Sequence, residues 1–133
     1  MNDCAFCQIV AGKIPAEKVY EDESVLAFLD IHPVNPGHTL VVPKNHVEEF
    51  QDMSEDLYGH VFSVVQKLAR DLKQRLQAVR VGLVVEGFDV AHVHVHVFPI
   101  NGLGDITTKR TREDMQSEPD FATLKQVAEK LRS

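Results

Sequence analysis

Residues 91–99 read AHVHVHVFP, a strict alternation of histidine and valine through His92, His94 and His96. A period of two is the repeat of an extended strand, where side chains two apart share a face. Val93, Val95 and Val97 are therefore expected toward a core. The imidazoles should line up on the opposite face, each roughly 6.5 to 7 Å from the next. Such a row has three open readings: the polar face of a half-buried strand, ligands for zinc, copper or iron, or nucleophilic and acid–base groups in phosphoryl or acyl transfer. The strand alone does not choose among them.

Its surroundings build a sheet. VRVGLVVE, residues 79–86, reads as a strand, and Gly87 turns the chain a short distance before the histidines, as in an antiparallel hairpin. KVYEDESVLAFLD reads as two short strands around a turn at Asp22–Glu23. IHPVNPGH is a loop by its prolines and glycine, and TLVVPK is a strand ended by Pro43. Between the strands, Leu57, Val61, Val64, Leu68, Leu72 and Leu76 recur at helical spacing, predicting a helix from about Ser54 to Gln77. Ser54 is placed to cap it, with Glu55 and Asp56 in its electropositive first turn. SEPDFATLKQVAEKLRS predicts a terminal helix, with Ser117 and Asp120 as a capping-box start and Phe121, Leu124, Ala128 and Leu131 as the buried side. The sum is an α+β fold with a mainly antiparallel sheet. With 133 residues and no repeat or linker-like tract, one domain spanning 1–133 is expected.

Charge and hydropathy narrow the function classes. A net charge of −6 makes the chain a poor general binder of nucleic acid or anionic membrane. No apolar run approaches the ~20 residues that span a bilayer. The start, MNDCAFCQIVAGK, lacks the basic and apolar regions of a secretory signal, so a cytoplasmic location is expected. The basic stretch TTKRTRED, with Lys109, Arg110 and Arg112, reads as a solvated part of an irregular, polar loop over 101–116.

The cysteines form a C-x-x-C pair, Cys4 and Cys7. A structural disulfide does not suit a reducing cytoplasm. A thioredoxin-type redox motif needs a preceding strand, and nothing strand-like precedes Cys4. Metal binding is the better reading, but two thiolates are half of a tetrahedral zinc site. Of the other histidines, His38 stands just before the TLVVP strand and His46 just after it, while His32 and His60 read as partly exposed.

At this point the sequence resembles the histidine-triad family of nucleotide hydrolases and transferases, whose pattern is His-φ-His-φ-His-φ-φ with φ apolar. Here it stands as His92-Val93-His94-Val95-His96-Val97-Phe98. CAFCQIVAGKIPAEKVYEDESVLAFLD and NPGHTLVVPKNH look like two further family blocks in the right order, so the likeness covers roughly residues 4–99. The resemblance implies a five-stranded antiparallel sheet with two helices, and a homodimer. It implies a covalent nucleotidyl-histidine at His94, with His96 and His38 flanking the phosphate. Asp30 would accept the ribose hydroxyls, and Phe6, Ile9 and Ile31 would wall a purine base. By likeness to the related C-x-x-C nucleotidyltransferases, Cys4, Cys7, His46 and His92 would bind a structural zinc.

The chain leaves the family pattern just before the triad. Family members carry a longer connection there, with an asparagine and, three residues before the first histidine, a serine or threonine. Val85 and Asp89 stand at those positions. Asp89 is expected as a turn residue after Gly87. Pointed inward instead, it would repel a phosphate by about 1 to 4 kcal/mol. The leading function is cleavage at the α-phosphate of a nucleoside phosphoramidate or phosphoanhydride. The alternatives are a diadenosine-polyphosphate hydrolase or phosphorylase, and a nucleotide-binding interaction module with vestigial activity.

Overall fold

A computed structural model describes residues 3–105 and 117–132. Strands β1 (Lys18–Glu21), β2 (Val25–Leu29), β3 (Thr39–Pro43), β4 (Arg80–Val84) and β5 (Val95–Ile100) form one antiparallel sheet in the order β1-β2-β3-β5-β4. The helices are α1 (Ala5–Val10), α2 (Glu55–Arg75) and α3 (Phe121–Arg132). The expected α+β class, the hairpins β1–β2 and β4–β5 and the long helix are all present. Residues 106–116, which hold Lys109, Arg110 and Arg112, lie outside the described residues.

Both faces of the sheet are covered. On one side Val25, Ala27, Leu29, Val41, Val95 and Val97 meet α2 and α3. On the other, Leu26, Phe28, Leu40 and Val42 meet Phe6 and Ile9 of α1. This explains why β2, VLAFL, is apolar at every position instead of alternating. Each such side chain contributes about 1.5 to 3 kcal/mol when fully buried. The helix α2 begins as its sequence predicts: the Ser54 hydroxyl accepts the Leu57 amide at 3.1 Å. Val61, Val64, Leu68 and Leu72 are buried, with Leu57 and Leu76 partly so.

Three expectations need correction. The strand β5 begins at Val95, so His92 and His94 precede it. Their backbone is engaged elsewhere: His92 N–H donates to Val90 O at 2.9 Å and Val93 N–H to Val47 O at 2.7 Å, outside the sheet ladder. The two-sided pattern survives, since Val93, Val95 and Val97 lie in the α2-side core. Second, His92, His94 and His96 are not the polar face of a half-buried strand: each residue is at most 3% exposed. Third, α3 starts at Phe121, and Asp120 rather than Ser117 does the capping: its carboxylate accepts the Thr123 amide at 3.1 Å and hydroxyl at 2.7 Å. Phe121, one position into the helix, is 60% exposed, and Leu124, Ala128 and Leu131 make the buried side.

The loop between β2 and β3 delivers Asp30 and His38 to the same place. Gly37 has φ +102°, and a Cβ there would stand 2.5 Å from Leu76 Cδ1 and 3.0 Å from Leu72 Cδ2. Only glycine satisfies both the left-handed backbone and the contact with α2. Beyond it, Asp30 N–H donates to His38 O at 2.9 Å, closing the loop and setting the two side chains near each other.

Candidate active site and metal cluster

Four potential ligands converge from α1, the segment after β3 and the lead-in to β5. Cys4, Cys7, His46 and His92 each present a donor atom, all within 4.8 Å of one another. Cys4 Sγ is 3.4 Å from His92 Nδ1, Cys7 Sγ is 3.3 Å from His46 Nδ1, and Cys7 Sγ is 3.5 Å from His92 Nδ1. Tetrahedral zinc, with bonds of about 2.3 Å to sulfur and 2.0–2.1 Å to nitrogen, sets sulfur–nitrogen edges of about 3.5 Å. The donor set and its spacing therefore fit a closed Cys₂His₂ site.

Local structure prepares these donors. Cys4 caps α1, its Sγ accepting Cys7 N–H at 3.4 Å. His92 Nε2 lies 2.8 Å from Pro43 O, so its proton sits on Nε2 and the Nδ1 lone pair faces the sulfurs. Burial, helped by the neighbouring His46 and His94, pulls the His92 pKa below its ordinary value, keeping the ring neutral as a ligand must be. Burial and the adjacent Cys4 push the Cys7 thiol up, so its deprotonation calls for a compensating cation.

Near this cluster, His94, His38 and His96 make hydrogen bonds that assign their protons in the neutral rings. His94 Nδ1 lies 2.7 Å from the His92 carbonyl and donates to it, so in the neutral ring the lone pair is on Nε2. Val34 N–H donates to His38 Nδ1 at 3.0 Å, so His38 carries its proton on Nε2. That proton is donated to His96 Nδ1 at 2.9 Å, which in turn puts the His96 proton on Nε2. Asp30 Oδ2 flanks the pair, 3.6 Å from His38 Nε2 and 3.9 Å from His96 Nδ1, while Oδ1 accepts the His32 amide at 2.8 Å. The His94 and His96 rings are 4.9 Å apart between centroids, and Phe6 packs edge-on to His94 at 4.9 Å. Phe6 and Ile9 are buried in the α1-side core, whereas Ile31, next to Asp30, is 46% exposed.

Other features of the site are not legible in the sequence. Asp89 does accept a local bond, from Val90 N–H at 3.0 Å, as a turn residue should. The same oxygen, Oδ1, also stands 3.3 Å from His94 Nε2. His94 Nε2 is buried, and its contact with Asp89 becomes an ion pair when the ring is doubly protonated. Burial disfavours that imidazolium, but Asp89, the His92 carbonyl and Asp30 outweigh it, and the His94 pKa stands above its ordinary value. The reciprocal contact with His94 holds the Asp89 carboxyl well below the usual range. Elsewhere, buried Asn35 donates to Pro99 O and to Asp105 Oδ2, both at 2.9 Å, clamping the loops at the far end of β5.

A model of the HIT domain matches residues 11–102. The chain belongs to the histidine-triad, or HIT, family. It is 43% identical over 109 residues to "Protein hit" of Bacillus subtilis, covering 78% of this chain and 75% of that one. A zinc-bound histidine-triad protein from Mycobacterium smegmatis superposes with a TM-score of 0.79 at 30% identity, over 98% of this chain and 91% of that one. A HIT family hydrolase from Legionella pneumophila gives 0.65 at 33% identity, over 76% and 96% of the two chains. The HIT fold of these neighbours is the five-stranded sheet with a long and a C-terminal helix described above.

Proposed function

We propose that this HIT protein is a nucleotide hydrolase or transferase that cleaves at the α-phosphate of a purine nucleoside phosphoramidate or phosphoanhydride. The observation that carries the reading is the 2.7 Å hydrogen bond from His94 Nδ1 to the His92 carbonyl, which in the neutral ring puts the lone pair on Nε2. That lone pair forms a bond to phosphorus as the bond to the leaving group breaks, and the leaving group departs with the electron pair. Water then displaces His94 from the nucleotidyl-histidine and restores the free ring. His96, with its proton on Nε2, donates to the equatorial oxygens as their charge develops. His38 has both ring nitrogens engaged, by Val34 and His96, so it acts through His96 by fixing that tautomer rather than by flanking the phosphate itself. Asp30 is the acceptor for the ribose hydroxyls, and Phe6, Ile9 and Ile31 line the base.

Cys4, Cys7, His46 and His92 would hold zinc, which supplies a structural cross-link among α1, the segment after β3 and the lead-in to β5. The zinc-bound relative from M. smegmatis supports this. The reading also includes a cytoplasmic homodimer. No described helix is long and apolar enough to cross a membrane, and β4, an edge strand of the sheet, carries the exposed Leu83.

The test is His94→Ala, followed by steady-state turnover and by mass spectrometry after a rapid quench. The expected result is nucleotide on His94 in the unsubstituted protein and a loss of at least about a hundredfold in rate in the variant, with nucleotide binding kept. Turnover above roughly a hundredth of the original rate would exclude covalent catalysis at this residue.

A further inference from the structure

Asp89 is the polar side chain placed against the reactive nitrogen. Its Oδ1 is 3.3 Å from His94 Nε2, and Val90 N–H holds that same oxygen at 3.0 Å. A phosphorus poised for attack sits about 3 to 3.5 Å from the nucleophile. Two points at these distances from one atom are at most about 7 Å apart. Any substrate at His94 therefore reacts within short range of this carboxylate, inside the Debye length of about 8 Å at physiological salt.

The ground beside Asp89 has the same sign. It lines a depression of about 360 Å³ together with Asp3, Cys4, His46 and Glu48, and among the described residues no lysine or arginine lines it. The nucleotide's ribose and base are assigned to Asp30, Phe6, Ile9 and Ile31, none of which lines that depression. The open, acidic side is thus left for the departing group. A second nucleotide or a pyrophosphate would bring negative charge there without a described cation to meet it. An ammonium, or a group rich in N–H donors, would be attracted.

We propose that Asp89 determines leaving-group specificity, selecting phosphoramidates whose amine carries a positive charge over neutral amines and over anionic phosphoanhydride leaving groups. This rests on nucleotidyl transfer through His94. The bond made is His94 Nε2 to phosphorus and the bond broken is phosphorus to the amine nitrogen. The amine leaves with the electron pair, and Asp89 acts on charge carried elsewhere on that amine.

The experiment uses adenosine 5′-phosphoramidates of two amines of equal length, one ending in an ammonium and one in a methyl group, with diadenosine triphosphate as the anionic case. The quantity read is the ratio of kcat/KM, ammonium to methyl, so that any common effect on the nucleophile cancels. The ratio should be about tenfold or more at low ionic strength and decline with added salt. Asp89→Asn and Asp89→Ser should both bring it near one, and should raise diadenosine triphosphate relative to the methyl compound. A ratio near one in the unsubstituted protein, or a ratio unchanged in both variants, overturns the proposal. The same two compounds are also titrated calorimetrically into His94→Ala with and without Asp89→Asn. Should none be turned over, the nucleotidyl-transfer reading fails, and the ratio of Kd values still decides whether Asp89 selects the cation.

Discussion

Asp22, in the turn between β1 and β2, shows what one carboxylate can tie together. Its Oδ2 accepts from the Tyr20 hydroxyl at 2.6 Å and His60 Nε2 at 2.7 Å; its Oδ1 accepts the amides of Ser24 and Val25 at 2.8 and 2.9 Å. His60 belongs to α2, so the residue joins the first hairpin to the long helix. Burial alone would raise the Asp22 pKa, but the Tyr20 hydroxyl, the Ser24 amide, His60 and the Val25 amide together depress it well below the usual carboxylate range. A depressed pKa means stability present above the unfolded value of about 3.9 and lost as pH falls below it. Asp22→Asn is expected to cost about 1 to 3 kcal/mol at neutral pH by leaving donors poorly matched. Its stability should also fall less steeply than the original protein's between about pH 5 and 3. Urea melts at a series of pH values measure both, and parallel curves would remove Asp22 as the origin of the acid sensitivity.

At the scale of elements, α2 stops where its sequence offers no natural terminator. Leu76 closes the last turn by donating its N–H to Leu72 O at 3.1 Å, and Gln77 follows with φ 55°, the left-handed conformation that glycine usually supplies at this place. Holding a Cβ there costs roughly 1 to 2 kcal/mol, part of which glycine would give back through its freer unfolded chain. Gln77→Gly is expected to stabilise the protein by about 0.5 to 1 kcal/mol, read from the denaturation midpoint at unchanged slope. A lower midpoint would show that the Gln77 side chain holds the turn by contacts of its own.

At the scale of the molecule, the Cys/His cluster and the histidine chain share His92. Its Nδ1 faces Cys4 and Cys7, its Nε2 is bound to Pro43 O, and its carbonyl receives the His94 proton. Through this residue the start of α1 is joined to the lead-in to β5. About one zinc per chain is expected on metal analysis of the purified protein. Cys4→Ser combined with Cys7→Ser should abolish it and lower the Tm, because the binding energy of a structural metal is folding energy. Turnover should persist at low temperature if the role of the metal is structural. A protein without metal as purified, or a chelator that stops turnover without lowering the Tm, would contradict a structural zinc.

The sequence by itself determined what depends on local periodicity and spacing. The three-to-four repeat from Leu57 to Leu76 specifies a helix with one apolar side, and the two-residue repeat from His92 to Val97 specifies opposite faces for histidine and valine. Both repeats are consequences of backbone geometry within a few residues, so they can be read without knowing the fold. Pairings between distant residues follow from how the elements pack, and only the tertiary structure decided them. Nothing near His60 in the chain points to Asp22, which is 38 residues away. Nothing near His38 shows that its Nε2 would reach His96, 58 residues on. Asp89 is the sharpest case. Its turn role is local and legible, while its approach to His94 Nε2 depends on how the irregular segment before β5 is seated between Val47 and Val90. That seating is a long-range packing result, and it is what puts a carboxylate beside His94 Nε2.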